Sequence, residues 1–446
     1  MKKNLISLVL AGLMCTSLLS GCASKTDDKG SNGKPVEIVF WHSMGGKGGE
    51  SINYLTDEFN KSQDKVKVTA QYQGAYDDAI NKLKSSVLSN SGPDVMQLYD
   101  IGTKWMIDSN YAVPMQNLID DDNYDVSKLE KNILQYYTID NKLYSMPFNS
   151  STPILYYNKS AFKEVGLDVN TAPKNFNEII DYSKKLVKKS GDKVDRYGYS
   201  MQVYGWFFEQ FIVKQQQDYV NNGNGRDGQA TKVEFDSNGS GLAVMKGWKE
   251  LVDSGVVGNF GRNSDATTDA FAAGKSAMMI GSTASLGDIK SKISGNFEIG
   301  TAYLPSVNET DKGGVSIGGG SLWVMDKKDK DKQKAAFEFI QFMVSDKTQV
   351  EWSKATGYFP ISTEAYKLPE MEEHLKTNPE FRTAIDQLHE SSGSKGAVMS
   401  VFPEARASIE ENIEKMLNGK STPEEAVKSS AETINAGLEK YNKSNK

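Results

Sequence analysis

The chain has few of the residues that carry most catalytic and metal chemistry. Its 446 residues include two cysteines and three histidines. The histidines, His42, His374 and His389, lack a metal-ligand spacing such as His-Glu-x-x-His, so we expect no zinc site and no other metal. A Gly-x-Ser-x-Gly motif is also missing, which argues against the nucleophile of an α/β-hydrolase. Carboxylates are plentiful, but nothing selects one pair for acid–base catalysis, so we expect a protein that is not an enzyme.

The chain also has fewer positively charged than negatively charged residues. Asp and Glu number 58 against 52 Lys and Arg, which gives a net charge of −6. An acidic chain is a poor partner for nucleic acid or another polyanion, so no nucleic-acid partner is expected. One small anion is still allowed as a ligand, because a local pocket can oppose the global sign of the charge.

A long apolar run is missing too. The apolar stretch Leu5–Leu19 has only about fifteen residues and follows Lys2 and Lys3, which suits a signal peptide better than a membrane span of ~20 residues. It ends in Leu18-Leu19-Ser20-Gly21-Cys22, which resembles a bacterial lipobox. An ordinary secretory signal would instead end in an Ala-x-Ala-like site, and none precedes Cys22.

These features predict an exported, lipid-anchored protein. We expect residues 1–21 to be removed as a signal peptide, Cys22 to be lipidated, and residues 22–35, rich in polar residues and glycine, to form a flexible tether. Cys15 leaves with the signal peptide, so no disulfide can form. The predicted location is the outer face of the cell membrane of a bacterium, most consistent with a Gram-positive one.

Order begins at Val36 with an alternation of strands and helices. Residues 36–41, 66–72 and 94–99 have strand patterns, and apolar residues at helical spacing separate them. This order predicts a βαβαβ unit with a parallel sheet and right-handed crossovers. A second run of strands and helices begins near Thr152, with a polar surface loop at 215–229, a helix at 335–343 and a charged helical tail from Pro403 to about Tyr441.

Two glycine motifs have ordinary structural alternatives. Gly274-Lys275-Ser276 is like the end of a phosphate-binding loop, but the required glycine five positions earlier is Asp269, so a helix C-cap is favoured. The turn Gly45-Gly46-Lys47-Gly48-Gly49 can present helix amides to an anion, and a plain flexible connection explains it about as well.

The most specific motif is Met146-Pro147-Phe148-Asn149-Ser150-Ser151-Thr152-Pro153-Ile154-Leu155-Tyr156-Tyr157-Asn158-Lys159. Two prolines bracket four small polar residues where the first βα pattern stops, which suits a crossover that lines a cleft. Together with Phe271-Ala272-Ala273-Gly274-Lys275-Ser276-Ala277-Met278, it resembles the family 1 extracellular solute-binding proteins of ABC importers. The segments 40–44, 318–325 and 356–361 are similar to the members that bind glycerol-3-phosphate. The resemblance runs from about residue 36 to the C-terminus.

That resemblance implies an α/β, two-lobed, periplasmic-binding-protein-like fold of type II, with hinged lobes and mostly parallel sheets flanked by helices. It places residues 36–150 and 282–325 in an N-terminal lobe, and residues 151–281 and 326–446 in a C-terminal lobe. The implied mechanism is closure of the lobes on a ligand, followed by docking on a permease.

The resemblance also implies a ligand shell in which each residue has a role. Asp100, which is usually Glu in the family, would accept hydrogen bonds from glycerol hydroxyls, and Trp206 would cover the carbon skeleton. Arg406 would grip a phosphate bidentately, although an arginine in a helix rich in carboxylates ordinarily forms a surface ion pair. The remaining donors to the phosphate would be Tyr76, Ser151, Ser282, Gly319 and Tyr358.

The function predicted from the sequence is capture of sn-glycerol-3-phosphate, or of a glycerophosphodiester such as glycerophosphocholine, and its delivery to the transmembrane subunits of an ABC permease. No cofactor is needed, and a monomer is expected. The first alternative keeps the fold but replaces the ligand with a neutral sugar or oligosaccharide. A remote alternative is a surface-anchored hydrolase.

Overall fold

A computed structural model describes residues 34–445 of the protein, apart from 89–90 and 392–394. The predicted signal peptide, Cys22 and most of the predicted tether lie outside the described residues. Within the described ranges, no helix combines the length and the apolar character that crossing a membrane requires.

The strands form two main sheets and two small hairpins. They are β1 (Val36–His42), β2 (Val66–Tyr72), β3 (Val95–Tyr99), β4 (Ala112–Val113), β5 (Thr138–Ile139), β6 (Lys142–Leu143), β7 (Met146–Ser151), β8 (Pro153–Asn158), β9 (Lys188–Ser190), β10 (Lys193–Arg196), β11 (Tyr199–Ser200), β12 (Val257–Gly258), β13 (Met278–Ser282), β14 (Ile299–Tyr303) and β15 (Gly318–Met325).

The helices surround these sheets. They are α1 (Gly46–Ser62), α2 (Tyr76–Leu88), α3 (Thr103–Ser109), α4 (Met115–Asp122), α5 (Lys131–Tyr137), α6 (Lys159–Glu164), α7 (Phe176–Leu186), α8 (Gly205–Lys214), α9 (Asn221–Gly225), α10 (Ser240–Asp253), α11 (Ser264–Ala272), α12 (Leu286–Ile293), α13 (Lys330–Met343), α14 (Asp346–Thr356), α15 (Pro369–Thr377), α16 (Arg382–Glu390), α17 (Phe402–Leu417) and α18 (Pro423–Ser444). Short 3-10 helices lie at Asp100–Gly102, Thr283–Ser285, Ala365–Lys367 and Pro379–Phe381.

The predicted βαβαβ unit is confirmed at the start of the first sheet. Strand β1 pairs in parallel with β2 and β3, and α1 and α2 connect them. Helix α1 buries the expected apolar stripe, Ile52, Leu55 and Phe59, because these positions recur at helical spacing. Strand β15 then adds antiparallel to β3, and β4 and β7 both pair antiparallel with β15. The first sheet is therefore mixed.

The second sheet has the order β12-β11-β13-β8-β14. Strand β11 pairs in parallel with β12 and β13, whereas β8 pairs antiparallel with β13 and β14. The α/β class is confirmed, but both sheets are mixed rather than mostly parallel. The reason is that strands returning from one sheet to the other enter beside their new neighbours in the opposite direction.

The chain passes between the sheets at Thr152, which separates β7 in the first sheet from β8 in the second. It passes back after β14, because β15 belongs to the first sheet. Strand β14 thus lies in the second lobe, whereas the expected division placed residues 282–325 in the first. The pairing of β14 with β8 over Ile299–Tyr303 is the physical reason for this difference.

The segment 326–446, which was expected in the C-terminal lobe, divides between the two lobes. Helix α13 packs on β1 and β15 of the first sheet, where the ring centroid of Phe339 lies 5.4 Å from that of Phe40. Helices α17 and α18 pack instead with α8 and α10 beside the second sheet. The charged tail is thus two amphipathic helices, whose apolar faces are buried.

Two local predictions can be compared with the structure. Gly274 follows α11 with a φ of 70° and precedes a short strand, which confirms the helix C-cap. The polar segment 215–229, predicted as a loop, contains α9, in which Asn222, Gly223 and Asn224 all have left-handed backbone angles. Asparagine and glycine tolerate these angles best, so composition alone indicated a turn but not its helical form.

Candidate ligand-binding site

A polar cavity of about 390 Å³ opens between the two lobes. It is lined by Met44, Gly45, Lys47, Gly48, Tyr76, Asp100, Ser151, Tyr204, Trp206, Ser264, Ser282, Ala284, Ser285, Asp288, Gly318, Gly319, Thr356, Tyr358 and Arg406. All eight residues of the predicted ligand shell are in this set. The structure therefore brings together residues that are separated by more than 300 positions in the sequence.

Asp100 lies directly after the carboxyl end of β3, an interior strand of the first sheet, and begins a 3-10 helix. Its side chain is buried, and Oδ2 is 3.7 Å from Nη2 of Arg406. Burial raises the pKa of Asp100 to about 7, although the positive charge of Arg406 opposes that rise. Near neutral pH this carboxyl group can therefore exchange a proton when its surroundings change.

Arg406 reaches the cavity from α17 and is already engaged by a carboxylate. Its Nε donates to Oε1 of Glu209 at 2.8 Å, and its Nη2 donates to Oε2 of the same residue at 2.7 Å. Nη1 is 3.4 Å from the hydroxyl oxygen of Tyr204. A buried guanidinium needs such a counter-ion, because an unpaired buried charge is strongly unfavourable. Arg406 thus forms a buried ion pair with Glu209. The exposed ion pair that its position in a carboxylate-rich helix predicted is not formed.

This pairing changes what Arg406 can offer a ligand. The guanidinium has five N–H donors in a planar fork, and the edge formed by Nε and Nη2 faces Glu209. The edge shared by Nη1 and Nη2 remains, next to Asp100 and Tyr204. Arg406 can therefore bind a phosphate bidentately only through its Nη1/Nη2 edge.

Tyr76, at the first position of α2, has its hydroxyl group oriented by a chain of side-chain amides. Gln97 donates through Nε2 to Oδ1 of Asn149 at 2.8 Å, and Nδ2 of Asn149 donates to the Tyr76 hydroxyl oxygen at 2.9 Å. Because that oxygen accepts from Asn149, its own proton is left to donate elsewhere. The Tyr76 ring stacks on Tyr99 with centroids 5.2 Å apart, which fixes its plane.

Two further aromatic rings are held rigidly at the cavity. Tyr358 stacks on Trp352, with centroids 5.4 Å apart and an angle of 19° between the rings. Trp206 lies in the first turn of α8 with only 4% of its surface exposed. Its indole Nε1 has no hydrogen-bond partner within the described part of the chain. A buried N–H donor of this kind is unfavourable unless something else accepts its hydrogen bond.

The remaining predicted residues come from the strands where the chain passes between the sheets. Ser151 ends β7 and pairs with Gly318 of β15, next to Gly319. Gly319 has a φ of 101°, and a Cβ there would lie 1.9 Å from the carbonyl oxygen of Asn149, so only glycine fits. Ser282 ends β13, and its Oγ accepts from the amide of Ala284 at 3.2 Å.

A family model for bacterial extracellular solute-binding proteins matches residues 55–383. The sn-glycerol-3-phosphate-binding periplasmic protein UgpB of Pectobacterium atrosepticum is 34% identical over 423 residues, which cover 92% of this chain and 93% of the relative. The chain belongs to this family of solute-binding proteins. The UgpB of Salmonella typhimurium is 32% identical over 421 residues, covering 92% of this chain and 94% of that relative.

Solved structures of other solute-binding proteins share the fold. UgpB from Mycobacterium tuberculosis, crystallised in complex with glycerophosphocholine, superposes with a TM-score of 0.78 at 20% identity, covering 91% of this chain and 99% of that one. The sugar-binding protein MalE of Xanthomonas citri gives a TM-score of 0.73 at 20% identity, covering 91% and 98% of the two chains. The predicted two-lobed fold of type II is confirmed.

Sequence reasoning missed several residues of this solute-binding protein's cavity. Tyr204 lines the cavity two residues before Trp206, and Glu209, three residues after Trp206, does not line it but holds the cavity residue Arg406. That spacing was a usable signal, because residues three apart share a helix face. Asp288 had no such signal, since α12 brings it to the cavity from a different part of the chain. A Cβ on Gly46 would lie 3.2 Å from Oδ2 of Asp288, so this carboxylate sits beside the N-terminus of α1.

Negatively charged side chains outnumber positively charged ones at the cavity of this solute-binding protein and directly behind it. Asp100 and Asp288 line it, and Glu209 stands directly behind Arg406. The other cation in the lining, Lys47, has its Nζ 2.7 Å from Oε2 of Glu50. Across residues 34–88, 91–391 and 395–445, no group of three or more His, Cys, Asp or Glu residues is placed to hold a metal ion.

Proposed function

We propose that this solute-binding protein captures sn-glycerol-3-phosphate, or a glycerophosphodiester such as glycerophosphocholine, and delivers it to the transmembrane subunits of an ABC permease. One observation carries the proposal. The eight residues that the glycerol-3-phosphate-binding relatives imply, from Tyr76 to Arg406, all line a single cavity between the lobes.

The chemistry of the cavity suits this ligand class. Asp100 accepts hydrogen bonds from glycerol hydroxyls, and the flat face of Trp206 covers the carbon skeleton. The Nε1 of Trp206, which is unpartnered within the described residues, is a donor for ligand oxygens, and the hydrogen-bonded hydroxyls of Tyr76 and Tyr358 can supply a further proton. The outer edge of Arg406 completes the set of donors to a phosphate group, together with Ser151, Ser282, Gly319 and Tyr358.

Lobe closure is the proposed mechanism of capture. The first lobe supplies Tyr76 and Asp100, and the second lobe supplies Trp206 and Arg406, so a ligand that touches both groups favours the closed arrangement. The strand crossings on either side of Thr152 are the hinge that absorbs the motion. The protein acts as a monomeric receptor and not as an enzyme.

A neutral sugar is the second candidate ligand, and two observations favour it. The charge of Arg406 is already neutralised by Glu209, and four aromatic side chains, of Tyr76, Tyr204, Trp206 and Tyr358, line the cavity. Aromatic rings bind the apolar faces of sugars as readily as a glycerol skeleton. Calorimetry must therefore compare the two ligand classes directly.

The test is titration of the purified protein, without its signal peptide, with sn-glycerol-3-phosphate, glycerophosphocholine and maltose. We expect at least one phosphate ester to bind more tightly than maltose, and we expect no turnover of any of them. Ser151→Ala should weaken ester binding by about tenfold, because a lost hydrogen bond to a charged group costs ~1.5 kcal/mol. Ser183→Ala removes an equally buried hydroxyl outside the cavity and serves as the matched control. Tighter binding of maltose, or no binding of either ester, would contradict the proposal.

We also propose that Cys22 carries the lipid anchor, which keeps the receptor on the outer face of the cell membrane beside its permease. The support is the lipobox-like sequence and the polar segment between Cys22 and Val36. Cys22→Ala should move the protein from the membrane fraction to the medium when cells are fractionated. Retention of the variant in the membrane fraction would contradict the anchor.

A further inference from the structure

The carboxylate of Glu209 is the part of the site that no predicted ligand contact explains. Glu209 comes from α8, one turn after Trp206, and its side chain is almost completely buried. Both of its oxygens accept from Arg406, at 2.8 and 2.7 Å. Glu209 does not line the cavity itself, and it occupies the edge of the Arg406 guanidinium that Nε and Nη2 form.

Glu209 has two consequences for Arg406. It fixes the rotation of the guanidinium, because a bidentate pair holds the planar fork in one orientation. The outer edge of the fork is thereby directed towards Asp100 and Tyr204. It also cancels the positive charge that Arg406 would otherwise present to a ligand.

The surroundings of the pair add negative charge, not positive. Asp100 lies 3.7 Å from Arg406 on the cavity side. Glu410 lies four residues after Arg406 on α17 and accepts the amide of Gly205 at 3.0 Å. Another arginine in this region, Arg262, is paired with Glu414 at 3.0 Å. Arg406 is thus shared between Glu209 and Asp100, and both cations that line the cavity in the described part of the chain, Arg406 and Lys47, already face carboxylates.

We propose, building on the proposed function, that Glu209 is the specificity-determining residue that makes this site select a singly charged phosphodiester over a doubly charged phosphate monoester. A phosphate monoester carries between about 1.5 and 2 negative charges at neutral pH, whereas a diester carries one. Hydrogen bonds from the outer edge of Arg406 and from the hydroxyls serve both ligands alike. The other cation in the lining, Lys47, is paired with Glu50, so the second charge of the monoester meets no unpaired cation among the described lining residues, and Asp100 repels it.

The ligands for the test must differ in phosphate charge without adding a cation. sn-Glycerol-3-phosphate and glycerophosphoglycerol meet this condition, since both carry the glycerol phosphate unit and neither has an ammonium group. Calorimetry at about pH 8, where the monoester is a dianion, gives the ratio of their two affinities for each variant. The wild-type ratio should favour glycerophosphoglycerol.

Glu209→Gln keeps the size and one acceptor of the side chain but removes its charge. We expect this change to shift the affinity ratio towards the monoester by about tenfold, because one uncompensated charge in a desolvated site is worth at least ~1.4 kcal/mol. Glu209→Asp retains the charge and should keep the wild-type preference. Glu164→Gln, which removes the partner of Arg196 away from the cavity, is the matched control and should leave the ratio unchanged.

A purely structural role for Glu209 would change both affinities equally, so an unchanged ratio in Glu209→Gln overturns the proposal. A wild-type preference for the monoester overturns it as well, and that result needs no variant. Both of these outcomes leave the proposed function intact, because the esters still bind. Failure of both esters to bind the wild-type protein would instead overturn the proposed function itself.

Discussion

Among single residues, Asp100 combines two opposed effects. Burial of its charged carboxylate disfavours folding, whereas its position in the cavity lining allows it to bind the ligand. Burial raises its pKa from 3.8 to about 7. The folded state then keeps a proton that the unfolded chain releases above about pH 4. The stability that the protonated Asp100 gives the folded state is therefore fully present below about pH 4. The free energy of unfolding then falls as the pH rises, and this stability is lost once the pH passes about 7.

Asp100→Asn removes this titration. We expect the substitution to raise the free energy of unfolding by roughly 1–4 kcal/mol more at pH 8 than at pH 4, because each pKa unit corresponds to 1.36 kcal/mol. It should also weaken ester binding, since the amide replaces an acceptor that the glycerol hydroxyls need. Urea unfolding at the two pH values and one titration measure both effects.

Asp94→Asn is the control for this prediction. Asp94 is equally buried, but Oδ2 accepts from the amide of Val39 at 2.8 Å and Oδ1 lies 3.2 Å from Nζ of Lys327. Its replacement should lower stability at both pH values, because it removes an ion pair. Equal effects of Asp100→Asn at the two pH values would refute the role given to burial.

The limits of sequence reasoning are clearest at Arg406. Its membership of the cavity could be predicted from the resemblance, because the residue lies in a segment that matches in order. Its partner could not be predicted, because Glu209 lies 197 positions away and on another helix. The pairing depends on how α8 packs against α17, and no local pattern in the sequence specifies that contact.

Among the elements, strand β15 controls the position of Trp206. Gly318 opens this strand, and a Cβ there would lie 2.6 Å from Cζ2 and 2.8 Å from Nε1 of the indole. The absence of a side chain at Gly318 is thus what allows the ring to lie against the strand. The ring belongs to α8 and the strand to the first sheet, so this contact joins the two lobes.

Gly318→Ala should displace the Trp206 ring and weaken ester binding by tenfold or more, on the order of 1.4 kcal/mol. Thermal unfolding should change less than binding, because the indole can move towards the cavity. Gly437→Ala is the matched control. That glycine lies inside α18 with the nearest side-chain atom 3.8 Å from an added Cβ, so alanine should be neutral or stabilising. Unchanged affinity in Gly318→Ala would show that the position of the ring does not matter.

The elements themselves could largely be predicted, but their partners could not. Hydrophobic spacing located β1, α1, β2, α2 and β3 closely, because local periodicity determines each of them. Strand β14 and helix α13 were assigned to the wrong neighbours in the expected division, since the choice of sheet is made by tertiary packing. The ring contact between Phe339 and Phe40 joins residues 299 positions apart, and periodicity cannot encode it.

For the whole molecule, the crossings between the lobes are tied together at one place. The amide of Thr283 donates to the carbonyl of Thr152 at 3.0 Å, which joins the crossing between β7 and β8 to the segment that follows β13. Nε2 of Gln387 donates to Oγ1 of Thr152 and to the carbonyl of Pro153, at 3.2 and 2.9 Å, and its Oε1 accepts from the amide of Leu304 at 2.6 Å. Segments from four parts of the chain thus meet around Thr152, at the proposed hinge.

Closure about this point predicts a measurable change in size. A saturating concentration of ester should lower the radius of gyration measured by small-angle scattering. The ester contacts both lobes only in the closed state, so it binds that state more tightly than the open state and shifts the population towards it. Ser151→Ala should reach the same final radius at a ligand concentration about tenfold higher, as its weaker binding requires. Ser183→Ala should follow the wild-type curve. If calorimetry shows the ester fully bound while the radius stays constant, then the ligand is held without closure, and the crossings around Thr152 are a rigid connection instead of a hinge.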